Sequence, residues 1–285
     1  MTGPVLVGVP GEGALALGRW LAEKLRAPLM VAVVHPAPAA LGSGRVDAEW
    51  VADRHRAAQR VLDEARAALA GAACEVEMRT VASSSAAHGL HDLAEEVKAA
   101  LVVVGSGKDA PHQRLFAGST AERLLAGSVC PVAVAPAQLP DDPGGQARIG
   151  VAYVDTPDGR AALAEAAVLA RQSGAPIRLY TVVVAGDPIL PFTGGQDAER
   201  AFVGTARETY EQALVKAAAS VPDVEVDWRI PDGDVVETLA ELAEVDVLYC
   251  GSRGYGPARR VLLGGVSSRL MRRARRPVVV VPRSG

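Results

Sequence analysis

Residues 247–282 read VLYCGSRGYGPARRVLLGGVSSRLMRRARRPVVVVP, and this stretch decides the fold. It begins with a short apolar run, passes through a loop rich in glycine and arginine, and ends on valines between two prolines. This order is typical of a buried strand that leads through a loop and a helix into another strand. Glycine-rich loops before a helix commonly bind phosphate, because the backbone approaches closely and the helix N-terminus is partially positive.

The same pattern occurs 146 residues earlier in the chain. Residues 101–136 read LVVVGSGKDAPHQRLFAGSTAERLLAGSVCPVAVAP and align with residues 247–282 without a gap. Residues with special backbone or polar roles coincide throughout the alignment, which indicates an internal repeat rather than chance. The coinciding pairs are Gly105 with Gly251, Ser106 with Ser252, Pro111 with Pro257, Arg114 with Arg260, Gly118 with Gly264, Arg123 with Arg269, Pro131 with Pro277 and Pro136 with Pro282.

The repeat extends to the start of each half and sets the domain boundaries. The apolar run at 5–9 corresponds to the run at 149–153. Between the halves, residues 135–147 are rich in Pro, Gly and Asp, which is the composition of a linker. The sequence therefore predicts two similar domains, residues 1–138 and 146–285, joined by a linker at 139–145.

Each half alternates apolar runs with amphipathic helical segments. Continuous Val and Leu runs separated by helices indicate a parallel sheet that is covered on both faces. We therefore expect two Rossmann-like, doubly wound α/β units, each a five-stranded parallel sheet flanked by helices, with ligands at the carboxyl ends of the strands. The predicted strands are 5–9, 29–35, 74–81, 100–104 and 132–135 in the first half, and 149–153, 177–184, 224–230, 246–250 and 278–281 in the second.

Composition excludes several function classes. The 285 residues are 49% hydrophobic and carry a net charge of −3, which does not favour a general nucleic-acid binder. Three separate cysteines without a CxxC pair favour buried thiols in a reducing compartment over a disulfide set or a zinc site. No apolar stretch reaches the length of a membrane span. We expect a cytoplasmic protein that binds neither membranes nor specific nucleic acid.

The loop after the fourth strand of each half carries a family likeness. The pattern G-x-x-G, nine residues, then G-[S/T] resembles that of the universal stress protein family. The second half gives Gly251 and Gly254, then Gly264 followed by Gly265. The resemblance covers nearly the whole chain and implies a tandem, non-catalytic binding or regulatory module of the stress response. It also implies ATP, with magnesium, as the ligand to test, because some members of the family bind ATP at this loop.

The resemblance assigns site residues in the second half and shows where this half departs from the pattern. Gly265 takes the place of the hydroxyl residue, with Ser267 two residues on as a substitute, and Val154 takes the place of an aspartate, with Asp155 beside it. Val182 falls at the adenine position. The candidate binding residues are Asp155, Val182, Gly251, Arg253, Gly254, Gly264, Gly265, Val266 and Ser267.

In the first half the hydroxyl position is intact but other parts of the site are changed. Lys108 replaces the second glycine, Pro10 replaces the aspartate, and the first loop is about four residues shorter. Nucleotide binding is therefore expected in the second half more than in the first. The candidate residues of the first half are Gly105, Lys108, Gly118, Ser119 and Thr120.

Two other functions stay open on the sequence alone. The protein could be a nucleotide-independent scaffold whose sites have degenerated, or an enzyme on a similar nucleotide-binding layout. The sequence shows no Ser/His/Asp set, paired carboxylates or metal cluster, so we expect no catalytic residues and at most incidental ATP hydrolysis. His88 and His91 are interpreted as a surface pair on a helix, and His35 as a capping or packing residue.

The ends of the halves suggest an interface. The strands at 132–135 and 278–281 are bracketed by prolines, which suit strand starts and limit open-ended pairing. We predict that these strands pair with each other across a pseudo-twofold axis, so that one chain resembles a dimer, and further homo-oligomerisation stays open. The basic run at 269–276 is interpreted as a solvated helix face near the C-terminal end of its dipole, with an anion-binding patch as the alternative.

Overall fold

The computed structural model describes residues 3–9, 11–37, 48–107, 115, 117–137, 148–184, 195–252 and 265–282. The strands of these residues are β1 (Val5–Val9), β2 (Leu29–Pro36), β3 (Val76–Ser83), β4 (Leu101–Gly105), β5 (Val132–Ala135), β6 (Ile149–Ala152), β7 (Ile177–Tyr180), β8 (Val226–Arg229), β9 (Val247–Gly251) and β10 (Val278–Val281). The helices are α1 (Glu12–Leu25), α2 (Ala48–Ala68), α3 (Ala86–Glu96), α4 (Ser119–Leu125), α5 (Pro157–Ser173), α6 (Gly195–Ala219), α7 (Val235–Ala240) and α8 (Gly265–Leu270).

All of these strands belong to one sheet in the order β3-β2-β1-β4-β5-β10-β9-β6-β7-β8. Within each half, every pair of neighbouring strands is parallel, and the strand order reverses beside the first strand of that half. This is the doubly wound arrangement, and it occurs twice. The predicted fold class is therefore confirmed.

The sheet buries both of its faces, which explains the continuous apolar runs of its strands. Side chains alternate between the faces, so Val5 and Val7 pack in the core beneath α1 and α2 while Leu6 packs in the core of α3 and α4. The second half repeats this division with α5 and α6 on one face and α7 and α8 on the other. Two apolar layers thus run across both halves of the molecule.

The two halves meet at strands β5 and β10, which pair antiparallel. Val134 lies opposite Val278 and Val132 lies opposite Val280. Antiparallel pairing of the last strands places one half beside the other in opposite orientation, so the sheet continues through the junction. Residues 138–147, which include the predicted linker, lie outside the described residues.

Further contacts across the junction come from the loop that follows β4. The buried Leu115 donates its backbone N–H to the carbonyl of Ala274 at 2.7 Å, and Ala117 donates to the carbonyl of Met271 at 2.8 Å. An ion pair joins Arg272 of the second half to Glu122 of the first at 2.7 Å. Leu115 and Ala117, at the end of this loop, therefore bind to the second half. Within the described ranges, no helix is both long and apolar enough to span a membrane.

Candidate functional site

A cavity of about 500 Å³ opens at the carboxyl ends of β6, β7 and β9 in the second half. Cavities of this size are typical of small-ligand sites, and the position is the one expected for a doubly wound sheet. The residues that line it are Ala152, Tyr153, Val154, Thr156, Asp158, Gly159, Tyr180, Thr181, Val182, Val184, Tyr210, Val235, Leu239, Cys250, Gly251, Gly265, Val266, Ser267 and Arg269.

One part of the cavity is apolar. Val182, which follows β7, lines it together with Val235 and Leu239 of α7 and Tyr210 of α6. Val184 also lines the cavity and is 60% exposed, so it lies where the cavity meets solvent. Aliphatic and aromatic side chains of this kind suit the faces of a planar, weakly polar ring.

Another part of the cavity is formed by the first residues of α8. Gly265, Val266 and Ser267 line it beside Gly251, the last residue of β9. In the described part of the chain, a Cβ added at Gly265 would meet no heavy atom within 4 Å. Among the described residues, Gly265 therefore leaves open space beside the cavity.

Several polar side chains of the cavity already have partners within the protein. The buried Ser267 hydroxyl donates to the carbonyl of Gly251 at 2.9 Å, and the Thr181 hydroxyl donates to the carbonyl of Tyr153 at 2.7 Å. Thr156 caps α5 by accepting from the N–H of Gly159 at 3.1 Å. These groups shape the cavity, and the Ser267 and Thr181 hydroxyl protons are committed to backbone acceptors.

Cys250 is among the residues that line the cavity, but its thiol is buried and not activated. Its complete burial raises its pKa to about 12, although a hydrogen bond with Ser267 opposes the shift. A thiol with this pKa stays protonated near neutral pH, and the thiolate is the nucleophilic form. Cys250 therefore packs as a small apolar side chain.

Two aspartates follow β6, and they differ in their surroundings. Asp155 is not among the residues that line the cavity; it forms an ion pair with Arg160 and accepts a hydrogen bond from the Tyr153 hydroxyl at 3.4 Å. Asp158 lines the cavity, and its Oδ1 atom is buried without a hydrogen-bond partner among the described residues. Sequence reasoning missed Asp158 because it lies within the helix that follows the loop.

Close packing holds Asp158 in place. A Cβ added at Gly251 would lie 2.6 Å from the backbone oxygen of Asp158, so only glycine lets the end of β9 approach the first turn of α5 this closely. Gly159, next in the helix, approaches the carbonyl of Val154 in the same way, at 2.0 Å from an added Cβ. These glycines bring the loop after β6 and the end of β9 to one place.

The structure thus brings together five of the residues named from the sequence of the second half, and the cavity lies among them. These are Val182, Gly251, Gly265, Val266 and Ser267. Asp155 directly follows Val154, which lines the cavity, but its carboxylate forms an ion pair with Arg160. Arg253, Gly254 and Gly264 lie outside the described residues.

The candidate residues of the first half follow β4. Gly105 ends that strand, and the neighbouring Ser106 hydroxyl donates to the carbonyl of Ala135 at 2.9 Å. Gly118 caps α4 without a side-chain hydrogen bond, Ser119 is exposed and Thr120 is half-buried. Lys108 and Pro10 lie outside the described residues.

The three histidines named from the sequence have partners nearby in the structure. His88 and His91 lie on α3 and face Asp92 and Glu95 at 3.4 Å and 3.7 Å, as a surface pair would. His35 packs edge-on against His55, with 5.1 Å between ring centroids. In the part of the chain that the structure describes, no three His, Cys, Asp or Glu side chains are grouped to hold a metal ion.

The arginines of the basic run hold the end of α8 to its neighbours. Arg269 donates to the carbonyl of Gly265 at 3.1 Å and Arg276 to that of Ala243 at 2.6 Å. Arg275 pairs with Glu241 at 2.6 Å. Helix α8 ends at Leu270, so most of the run does not lie on a helix face as predicted, and Arg269 also lines the cavity.

Comparison with known proteins gives one consistent family. The family model described as "Universal stress protein family" matches residues 1–136 and again residues 147–282. Universal stress protein Rv2319c of Mycobacterium tuberculosis is 30% identical over 288 residues, covering 97% of each chain. A second protein of that species, Universal stress protein Rv1996, is 36% identical over 84 residues, covering 28% of this chain and 26% of its own.

Solved structures share the fold over the full length. A universal stress protein from Archaeoglobus fulgidus superposes with a TM-score of 0.69 at 18% identity and covers 98% of both chains. A putative universal stress protein from Pseudomonas aeruginosa superposes with a TM-score of 0.62 at 17% identity, covering 98% of this chain and 91% of its own.

Proposed function

The chain belongs to the universal stress protein family as a tandem member, and from that premise we propose that it is a non-catalytic binding module that takes an adenine nucleotide in the cavity of its second half. The observation that carries the proposal is the convergence of Val182, Gly251 and the start of α8 on a cavity of about 500 Å³. An apolar region at one end and helix N–H groups at the other suit a nucleobase and a phosphate chain.

The proposal gives each part of the cavity a role. The adenine ring lies among Val182, Val235 and Tyr210, and the phosphates lie at the first turn of α8. Magnesium, where present, enters with the polyphosphate. The protonated Cys250 thiol argues against nucleophilic chemistry at this site, which supports a binding role.

The two halves are proposed to differ in this function. The first half keeps the hydroxyl of Ser119 but has Pro10 and Lys108 at positions where the family pattern has an aspartate and a glycine. We propose domain boundaries at 1–138 and 146–285 and a cytoplasmic location. The β5–β10 pairing supports the further proposal that the halves act as the two members of an intramolecular dimer.

A second candidate is a scaffold that works without nucleotide. It is favoured by the fact that the Ser267 hydroxyl and the Asp155 carboxylate are both engaged within the protein. If no ligand displaces these contacts, the cavity is a remnant of the family's site, and the extended sheet serves for contact with partner proteins.

Titration of the folded protein with ATP, ADP and AMP, with and without magnesium, separates the two candidates. A ligand at a hundred times its Kd adds about 2.7 kcal/mol to the free energy of unfolding, which a thermal shift detects. We expect the wild-type protein to be stabilised. No stabilisation at millimolar ATP would favour the scaffold.

A matched pair of variants at one position locates the site. Gly265→Ser restores the hydroxyl in open space and is expected to tighten ATP binding about tenfold, because a hydrogen bond to a charged group contributes about 1.5–3 kcal/mol. Gly265→Asp places a negative charge at the phosphates and is expected to weaken binding at least as much. Equal affinities for both variants would place the ligand elsewhere.

A further inference from the structure

We infer that His35 and His55 form a binding site for a divalent transition-metal ion of the zinc class in the first half of the chain. The inference goes beyond the proposed function, because it concerns the other half and needs no nucleotide. It starts from the distance between two ring nitrogens. Nε2 of His35 and Nδ1 of His55 lie 3.3 Å apart, although 20 positions separate the residues in the chain.

Two packed elements bring these rings together. His35 is half-buried and lies one residue before the carboxyl end of β2. His55 is exposed on α2, which packs against β2. The rings meet edge-on, with an angle of 81° between their planes. One imidazole is thus held by the sheet and the other reaches it from the solvent side, so an ion can approach the pair from solution.

The separation of the two nitrogens is that of neighbouring ligands on a tetrahedral metal ion. Zn²⁺ binds imidazole nitrogens at about 2.0–2.1 Å, so two of them at the tetrahedral angle lie about 3.3–3.4 Å apart. A usual N–H hydrogen bond is shorter, at about 2.7–3.2 Å. Imidazole suits Zn²⁺, Ni²⁺ and Cu²⁺, whereas Mg²⁺ prefers oxygen ligands. The histidine pair therefore supplies part of the coordination shell, and water completes it.

The other nitrogen of each ring has a partner that orients it. With its proton on Nδ1, His35 donates to the carbonyl of Pro36 at 3.2 Å, and this leaves Nε2 as the nitrogen with the lone pair. Nε2 of His55 lies 3.5 Å from the side-chain amide of Gln59, one turn further along α2. Histidines that bind metals commonly donate their second ring N–H to an oxygen in this way.

Binding of the ion requires one proton to move and none to leave. Without metal, Nδ1–H of His55 donates to Nε2 of His35, and the Gln59 amide N–H donates to Nε2 of His55. With metal, His55 carries its proton on Nε2 and donates it to the amide oxygen of Gln59, after the amide has turned over. Both imidazoles stay neutral, as metal ligands must. Gln59 is therefore a positioning residue.

The two arginines beside His55 are held by other groups. Arg54 pairs with Asp53 at 2.6 Å and lies over the ring of Trp50, 5.8 Å from its centroid. Arg56 lies 3.7 Å from the same Asp53 carboxylate. Their positive charges are therefore partly neutralised near the proposed ion.

The second half has a different residue at the position of His35. Counted from the Ala-Pro pairs at 27–28 and 175–176, the buried Val183 corresponds to His35. The metal site is thus a property of the first half, in which Pro10 and Lys108 depart from the nucleotide pattern.

Calorimetric titration of the full chain with Zn²⁺, Ni²⁺ and Mg²⁺, after chelator treatment and without nucleotide, tests the site. We expect one Zn²⁺ or Ni²⁺ per chain and no binding of Mg²⁺. His35→Ala and His55→Ala should each weaken Zn²⁺ binding about a hundredfold or more. Gln59→Ala should weaken it about tenfold, because loss of a residue that orients a metal ligand costs about 10- to 100-fold in affinity. Gln59→Glu keeps an acceptor for the same N–H and should bind Zn²⁺ at least as tightly as wild type.

The matched control removes the other described pair of histidines, on α3, where His88 and His91 face Asp92 and Glu95. The double variant His88→Ala/His91→Ala should keep the Zn²⁺ affinity within about twofold of wild type. Thermal unfolding in chelator shows that each variant is folded, and the exposed His55 is the replacement least able to disturb the fold.

Three outcomes would overturn the inference. They are wild-type Zn²⁺ affinity in folded His55→Ala, loss of binding in the α3 double variant, and absence of Zn²⁺ binding by the folded wild type. Each of them leaves the proposed nucleotide site of the second half unaffected.

Discussion

A single half-buried carboxylate shows how the two halves have diverged. Residues 13–28 and 161–176 align without a gap, and in that alignment Glu165 of α5 corresponds to the fully buried Leu17 of α1. Burial raises the pKa of Glu165, and its Oε2 atom has no hydrogen-bond partner in the described ranges. The ionised carboxylate of Glu165 therefore lowers the stability of the folded state at neutral pH.

The first prediction concerns the pH dependence of this cost. Because the folded pKa of Glu165 lies above its unfolded value near 4.5, the folded state binds the proton more tightly. Stability from this group is therefore highest below pH 4.5 and is lost as the pH rises through the folded pKa. Glu165→Gln should raise the free energy of unfolding by about 1 kcal/mol at pH 7.5.

Urea unfolding at pH 7.5 and at pH 4 measures this difference. The gain from Glu165→Gln should shrink toward zero at the lower pH, because the wild-type carboxyl is then protonated. Glu211→Gln, at an exposed position of α6, is the control and should change stability by less than about 0.5 kcal/mol. A gain of equal size at both pH values would show that ionisation of Glu165 is not its cause.

At the scale of elements, α1 and α5 end in the same left-handed backbone conformation but with different residues. Both helices end in a residue with left-handed backbone, which is Arg26 with φ of 53° after α1 and Gly174 with φ of 72° after α5. Glycine adopts this conformation without a Cβ clash, whereas arginine does not. The exposed Arg26 therefore holds strain that its counterpart avoids.

Exchanging these caps gives a second prediction. Arg26→Gly should stabilise the protein by about 0.5–1 kcal/mol, since relief of the left-handed strain exceeds the added freedom of the unfolded chain. Gly174→Ala should destabilise it by about 1 kcal/mol. Thermal unfolding of the two variants measures both. A lower Tm for Arg26→Gly would mean that the arginine side chain supplies a compensating contact.

The elements were more predictable from the sequence than the site. Strand β10 lies at 278–281 as predicted, because valines buried on both faces of a sheet leave a continuous apolar run that the sequence shows directly. The predicted strand at 177–184 is shorter in the structure, ending at Tyr180. Its neighbour β6 ends at Ala152, so the residues after Tyr180 have no strand to pair with on that side.

The direction of a side chain in a loop depends on partners that no periodic pattern reveals. The sequence favours Asp155, which directly follows Val154, but the ion pair with Arg160 engages Asp155 elsewhere, and the close approach of Gly251 holds Asp158 at the cavity. The five cavity residues that could be named in advance belong to the glycine motif or to a strand end. Tyr210, on a distant helix, could not be named because no local signal ties α6 to the cavity.

At the scale of the whole molecule, the junction links the first half's loop to the second half's helix. Leu115 is fully buried among the apolar residues of one continuous layer and is bonded through its backbone to Ala274. Met271 of the same turn accepts from Ala117, and the first residues of α8 line the cavity of the second half. A disturbance at Leu115 is therefore expected to reach both halves.

The third prediction in this series tests that link. Leu115→Ala should lower the free energy of unfolding by about 2–4 kcal/mol through loss of apolar contact and a residual cavity. Hydrogen exchange should then quicken at amides of both β5 and β10. Val129→Ala, at a site 56% exposed, is the control and should have an effect within about 0.5 kcal/mol. Faster exchange confined to the first half would contradict the link.

The antiparallel pairing of β5 with β10 forms a seam within one chain, so the association of the two halves does not depend on protein concentration. Two separate subunits joined by such a seam would come apart on dilution, whereas a tethered pair keeps a fixed effective concentration. In a symmetric assembly of identical subunits every mutation also appears twice. Here a substitution appears once in each chain, so one half can change without the other, and the proposed site in the second half predicts one nucleotide per chain.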